Sequence, residues 1–172
     1  YERCPPDHVI GQIGYYCTDT CTPVFQDLFV ELLQDAGLMQ MAVDKSIELY
    51  AAAKTQGAGA ERSGNDNTNT IFYILQTHPG HHAARDSFGG YCYVNHAAAA
   101  ASRFLHNEIL PLRRVAILDV DYHAGNGTAS IFYDHPNVLV ISLHCDPNYD
   151  YPFHAGFADQ TGAGAGLGAT LY

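Results

Sequence analysis

A chain of 172 residues with a net charge of −10 has room for one domain and lacks the basic face a phosphate-backbone binder needs, so no direct nucleic-acid partner is expected. A hydrophobic share of 47% excludes wholesale disorder, and only 15% charged residues implies much buried surface. Five cysteines do not make a paired disulfide framework, and no apolar run approaches the roughly 20 residues of a membrane span, so a reducing, cytoplasmic setting is expected, with the nucleus as the alternative in a eukaryote. Residues 1–21 read as loop with a short strand at 13–17. Thr22 and Pro23 then suit an N-cap and first helical position, with Phe25, Leu28, Phe29, Leu32 and Leu33 at helical spacing and Gly37 as terminator. A second helix is predicted over 39–54, followed by a flexible surface loop at 55–70, where Gly, Asn, Ser and Thr dominate.

From Ile71 the texture changes. Strands are predicted at 71–76, 115–122 and 138–143, and helices at 94–109 and 128–133. These strand runs are apolar throughout rather than alternating, as in a parallel sheet covered by helices on both faces, and the chain reads as an α/β domain. Ligand sites in such sheets lie beyond the carboxyl ends of the strands. Three of the runs end in histidine-bearing loops, THPGHH, DYHAGNG and LHCDP, and nine of the ten histidines fall between His78 and His154.

Asp119, Asp121 and His123 alternate at the end of an otherwise apolar strand, which turns all three side chains to one face. Two carboxylates so close to a buried sheet are costly without a compensating cation, and Asp oxygen with His nitrogen suits zinc or a neighbouring divalent ion. A lone Asp or His there would read as a turn cap or a core histidine; the triplet favours a metal. His81 and His82 are adjacent in a loop, so they point apart and suit acid–base work beside a metal better than joint ligation, with Asp119 and Asn126 as candidate acceptors for their ring hydrogens. Gly89-Gly90 before Tyr91, and Gly125 and Gly127 around Asn126, allow close backbone approach to a ligand, but neither loop has the pattern of a phosphate loop.

The runs HPGHHAARDSFGGYCYVNHAA, VAILDVDYHAGNGT, ISLHCDP and YPFHAGFADQTGAG, in that order over about half the chain, resemble the zinc-dependent histone deacetylase and acetylpolyamine amidohydrolase superfamily. The resemblance implies a three-layer α/β/α, arginase/deacetylase-like fold with a mostly parallel sheet, here incomplete. It implies zinc on Asp121 and His123, His82 as general base, and His81 as an electrostatic helper paired with Asp119. Asn126 is then the partner of a catalytic histidine, and Tyr91 and His154 line the acyl channel. A potassium site is implied at Asp119, the Ser142 hydroxyl and the Leu143 backbone. Substrates would be an acetylated cationic small molecule or an acetyl-lysine side chain, to which an acidic chain is suited, and a homo-oligomer is compatible with it. Ala124 and Gln160 depart from the family pattern. The third zinc ligand and an oxyanion-stabilising Tyr are expected from segments beyond these 172 residues, which begin at Tyr1 rather than Met. The isolated chain is therefore expected to turn over little. A catalytically inactive remnant acting as an interaction module, or an arginase-type two-manganese hydrolase, are the competing readings; the second lacks extra carboxylates at Ala124-Gly125-Asn126.

Overall fold

The computed structural model describes residues 4–56, 70–110 and 112–172. Its elements are helices α1 (Val9–Tyr16), α2 (Leu28–Gln56), α3 (His96–Leu105) and α4 (Asn126–Phe132), strands β1 (Val115–Asp119), β2 (Val138–Ser142) and β3 (Thr170–Leu171), and a 3-10 turn at Gly164–Gly166. The strands form a parallel sheet in the order β1-β2-β3, with Asp119 in register with Ser142 and Ile141 with Leu171. That register brings the carboxyl ends of β1 and β2 to the same edge.

One core cluster joins Ala98 and Ala101 of α3, Ala129 and Phe132 of α4, and Val138 and Val140 of β2. The small side chains on α3 let the helix lie close to the sheet. A second cluster packs Met39, Val43 and Ile47 of α2, at i, i+4 and i+8, against Ala99, Ala100 and Phe104 of α3. The order is thus sheet, then α3 and α4, then α2. Among the described residues only this face of the sheet is covered: Leu118, Val120 and Leu143 on the other side are exposed, so two of the three expected layers are present.

Several local expectations are corrected. Residues 9–16 form a helix, not a loop and strand, and of the strand only an isolated bridge from Cys17 to Phe88 remains. Helix α2 starts at Leu28, and the Thr22 hydroxyl oxygen accepts the Tyr91 N–H rather than a helical one. It also runs straight through Gly37, where a glycine costs about 1 kcal/mol and the buried Met39, Val43 and Ile47 outweigh it. The segment 71–76 pairs with no strand among the described residues. Strand β1 stops at Asp119 instead of 122 because the Asp119 carboxylate takes the Asp121 N–H at 3.0 Å and the Asp121 carboxylate takes the His123 N–H at 2.8 Å, a side-chain alternative to the ladder. The expected loop 55–70 lies outside the described residues apart from its two ends, and α2 runs on to Gln56 at one of them. No helix among the described residues is long and apolar enough to cross a membrane.

Candidate functional site

The loop at residues 79–83 is fixed by three neighbours before any chemistry is considered. The Gly80 N–H donates to Cys92 Sγ at 3.0 Å, the Thr128 N–H to the His81 carbonyl at 3.1 Å, and the Asn95 amide to the Ala83 carbonyl at 3.1 Å. Asn95 also caps α3 by accepting from the Ala98 N–H, so one buried side chain ties the helix start to the histidine loop. At the start of α4 a Cβ on Gly127 would sit 2.4 Å from the Ala83 carbonyl oxygen, so only glycine lets the two backbones approach this closely.

So braced, the loop presents His81 and His82 to two different partners. His81 Nδ1 lies 2.8 Å from Asp119 Oδ2, which leaves Nε2 facing Asp121 Oδ1 at 3.7 Å. His82 Nδ1 lies 2.6 Å from Asn126 Oδ1; with that oxygen accepting, Nδ1 carries the hydrogen and Nε2 the lone pair. The two rings are 4.0 Å apart. Burial, then the charge of neighbouring His81, holds His82 down to about 4, so near neutral pH it is an uncharged proton acceptor. Burial alone would raise the Asp119 carboxyl, but the hydrogen bond and charge of His81 and the Asp121 N–H keep it below its ordinary value.

His81, His82, Tyr91, Asp121, His123 and Tyr151 line one pocket of about 300 Å³, while Asp119 lies behind His81 on the other side. The structure therefore brings seven of the residues singled out in the sequence together: His81, His82, Tyr91, Asp121 and His123 at the pocket, Asp119 behind His81 and Asn126 behind His82. It does not bring His154 there. That residue is exposed, and Tyr151 takes the wall instead, its ring 4.8 Å from His82 and 6.2 Å from His123. Ser142 and Leu143 adjoin Asp119: the Leu143 N–H donates to the Asp119 carbonyl at 2.9 Å, and Ser142 Oγ is 2.7 Å from His144 Nδ1.

The donor set can be tested against zinc. Asp121 Oδ1 and His123 Nδ1 are 3.3 Å apart, about the separation of two tetrahedral ligand atoms each ~2.0–2.1 Å from one ion. Asp150 Oδ1 lies 3.7 Å from the opposite ring nitrogen, Nε2, on the side where a carboxylate orients a metal-binding histidine. These two donors fit a zinc ion as part of a ligand set. Among the described residues no group of three or more His, Cys, Asp or Glu stands ready to hold one.

Asp19, Thr22, Asn95 and Tyr151 were missed in the sequence. Asn95 leaves a signal in its N-cap position before an Ala-rich helix; the other three act through contacts to residues about 70 or more positions away.

A parallel sheet thus stands beside paired histidines, each against a carboxylate or amide oxygen, with an Asp/His pair just past its carboxyl edge. The comparison with known proteins gives it a family. The histone deacetylase domain model matches residues 7–172, and the chain belongs to that family. It is 42% identical to acetylpolyamine amidohydrolase 2 of Pseudomonas aeruginosa over 167 residues, 97% of this chain and 42% of the relative. With the acetylpolyamine amidohydrolase of Mycoplana ramosa it shares 39% identity over 168 residues, 98% of this chain and 42% of that one. The crystal structure of the acetylpolyamine aminohydrolase from Burkholderia pseudomallei superimposes with a TM-score of 0.52 at 42% identity, covering 75% of this chain and 33% of that chain. The chain thus spans about two fifths of the length of these curated relatives.

Proposed function

We propose that the protein carrying this chain hydrolyses the amide bond of an N-acetylated cationic amine, with acetylpolyamines as its substrate class and zinc as its cofactor. The observation that carries this reading is the neutral His82, held by Asn126 with its Nε2 lone pair free, beside the His81–Asp119 pair in one pocket with Asp121 and His123. Identity to acetylpolyamine amidohydrolases along nearly the whole chain and the charge of −10 support the choice of a cationic substrate.

Zinc, when bound, polarises the acetamide carbonyl and acidifies water. Asp121 and His123 would hold it, and Asp150 stands where it can orient His123. His82 Nε2 takes the proton from the attacking water, and Asn126 keeps the other ring nitrogen in the donor state through the step. His82 Nε2 then returns that proton to the departing amine, while His81, its Nδ1 hydrogen given to Asp119, presents Nε2 to the same space and supports the charge that develops there. The Tyr91 and Tyr151 rings wall the pocket. Asp119, Ser142 and the Leu143 backbone are where a potassium ion would brace the sheet edge beneath the histidines.

The test measures acetate released from an acetylpolyamine and from an acetyl-lysine peptide by the full-length zinc-loaded protein. Chelation abolishes release, zinc restores it, and His82→Ala lowers kcat by about 100-fold or more. Preference for the peptide would move the substrate class to acetyl-lysine. Folded, zinc-loaded protein inert toward both would overturn the proposal.

A further inference from the structure

The turn that carries Tyr91 over the pocket is held in an unfavourable backbone conformation. Gly90 has φ of 56° and Tyr91 φ of 62°, and a non-glycine residue stays in this strained, left-handed region only where its surroundings impose it. Here they do, through a loop about 70 residues earlier in the chain. The Gly90 N–H donates to Asp19 Oδ2 at 2.6 Å, and the Tyr91 N–H donates to Thr22 Oγ1 at 3.0 Å. The Thr22 hydroxyl in turn donates to Asp19 Oδ2 at 2.8 Å. Asp19 Oδ1 accepts the Cys21 and Thr22 N–H groups, each at 2.7 Å. Just beyond the turn, the Tyr93 hydroxyl donates to the Pro23 carbonyl.

On its other side the turn is pressed against His82. A Cβ added to Gly90 would lie 2.2 Å from His82 Cδ2 and 3.0 Å from Nε2, and one on Gly89 would lie 2.0 Å from Thr18 Oγ1 and 2.8 Å from Asp19 Oδ2. The two glycines are therefore wedged between the 18–22 loop and the imidazole, with no space for a side chain on either.

Asp19 also lines the pocket, which suggests a rival role as receptor for a substrate ammonium. Its hydrogen bonding decides against that. A carboxylate has about four lone-pair sites, and Asp19 already accepts four donors, two on each oxygen. Burial would raise its carboxyl, but those donors, led by the Gly90 N–H, hold it below the ordinary value, so it remains an anion committed to the loop.

We infer that Asp19 and Thr22 are positioning residues of the site: together they clamp the Gly90–Tyr91 peptide in its left-handed turn, fixing the Tyr91 ring at the pocket wall and the glycine edge against His82. The clamp stands on hydrogen bonds alone; its kinetic consequence rests on the amide hydrolase reading. Losing it lets the turn relax, loosens the wall of the acyl-chain pocket, and weakens substrate binding more than the proton transfer at His82.

Thr22→Val removes the hydroxyl with little change of shape, and Thr22→Ser keeps it. In the full-length zinc-loaded protein, Thr22→Val is expected to speed amide hydrogen exchange at Gly90 and Tyr91 about tenfold, the loss of one hydrogen bond. KM for an acetylated amine should rise about tenfold, with kcat within about twofold and zinc content unchanged, and Thr22→Ser should restore both to within about twofold. Should Thr22→Val fail to fold, Asp19→Asn is read in the same assays against the same thresholds. Unchanged exchange at both amides overturns the clamp. Faster exchange with unaltered KM overturns its role in positioning. If the wild-type protein shows no hydrolysis at all, the functional reading fails, and exchange alone then decides whether the clamp exists.

Discussion

Asp35 sits in the middle of α2, 2% exposed, where an unpartnered carboxylate would be severely penalised. It is tolerated because the chain leading into the histidine loop turns its backbone donors toward it. The Thr77 N–H is 2.9 and 3.1 Å from its two oxygens, the His78 N–H is 3.2 Å away, and His78 Nδ1 is 3.4 Å away. Burial pushes this carboxyl up, but the Thr77 and His78 donors and the charge of His96 outweigh it and hold the group below its ordinary value. A carboxyl depressed in the folded state adds stability above its unfolded value, and that stability is lost as pH falls through the folded one. Asp35→Asn should therefore cost about 3 kcal/mol at pH 7, and the gap from wild type should close as pH drops below 4. Urea titrations at pH 7 and pH 3 read this directly; an equal gap at both would show that the charge of Asp35 contributes nothing. The same bonds explain why His78 precedes the pocket without entering it, since its ring is engaged by Asp35 and by Glu31 at 3.6 Å.

Helix α2 shows how far an element can be read from its own residues. The apolar spacing of Phe25, Leu28, Phe29, Leu32 and Leu33 marked a helix but not which residues dock: Phe25 precedes it, Phe29 and Leu33 are exposed, and the inward face runs from Leu28 and Leu32 through Asp35, Met39, Val43 and Ile47. Nothing local announces that face, because its partner is α3, more than 50 residues on, and the sequence between α2 and α3 does not reveal which side will be met. Ile47, 6% exposed, packs in the α2–α3 cluster, while Met41, 69% exposed, lies on the same helix facing water. Ile47→Ala should lower stability by about 3 kcal/mol and Met41→Ala by under ~0.5 kcal/mol, measured by chemical denaturation. Similar effects from the two would mean that α2 does not dock on α3 as described. The site was more legible than the helix because its chemistry is concentrated at strand ends: Asp119, Asp121 and His123 follow a single apolar run, and His81 and His82 share one loop. Asp19, Thr22 and Tyr151 escaped notice since a hydrogen bond across about 70 residues, or 133 for Tyr151, leaves no period and no spacing behind.

For the molecule as a whole, the sheet decides how the 172-residue polypeptide behaves in water. The strand runs carried apolar residues on both faces, the signature of burial on both sides, yet the alternate side chains of β1 and its extension point away from the helices, with Leu118 62% and Val120 71% exposed. Register sets Leu118 beside Ile141, Ile141 beside Leu171, and Leu143 just beyond, so these residues form one continuous patch rather than scattered exposures. Contiguous apolar surface of this kind drives association or binds amphiphiles. The 172-residue polypeptide should therefore bind a hydrophobic dye and self-associate with rising concentration. Leu118→Lys combined with Leu143→Lys should reduce both, because the two lysines replace side chains on the open face and leave Ile117, Val138 and Val140 packed on α3 and α4. Circular dichroism of the double variant checks that the helical layer survives, and sedimentation with dye fluorescence reads the patch. A wild-type polypeptide that stays monomeric and dark to the dye at about 100 µM would mean that the open face is covered in solution by residues other than those lining the helical core, and the layer order described for the sheet would have to be revised.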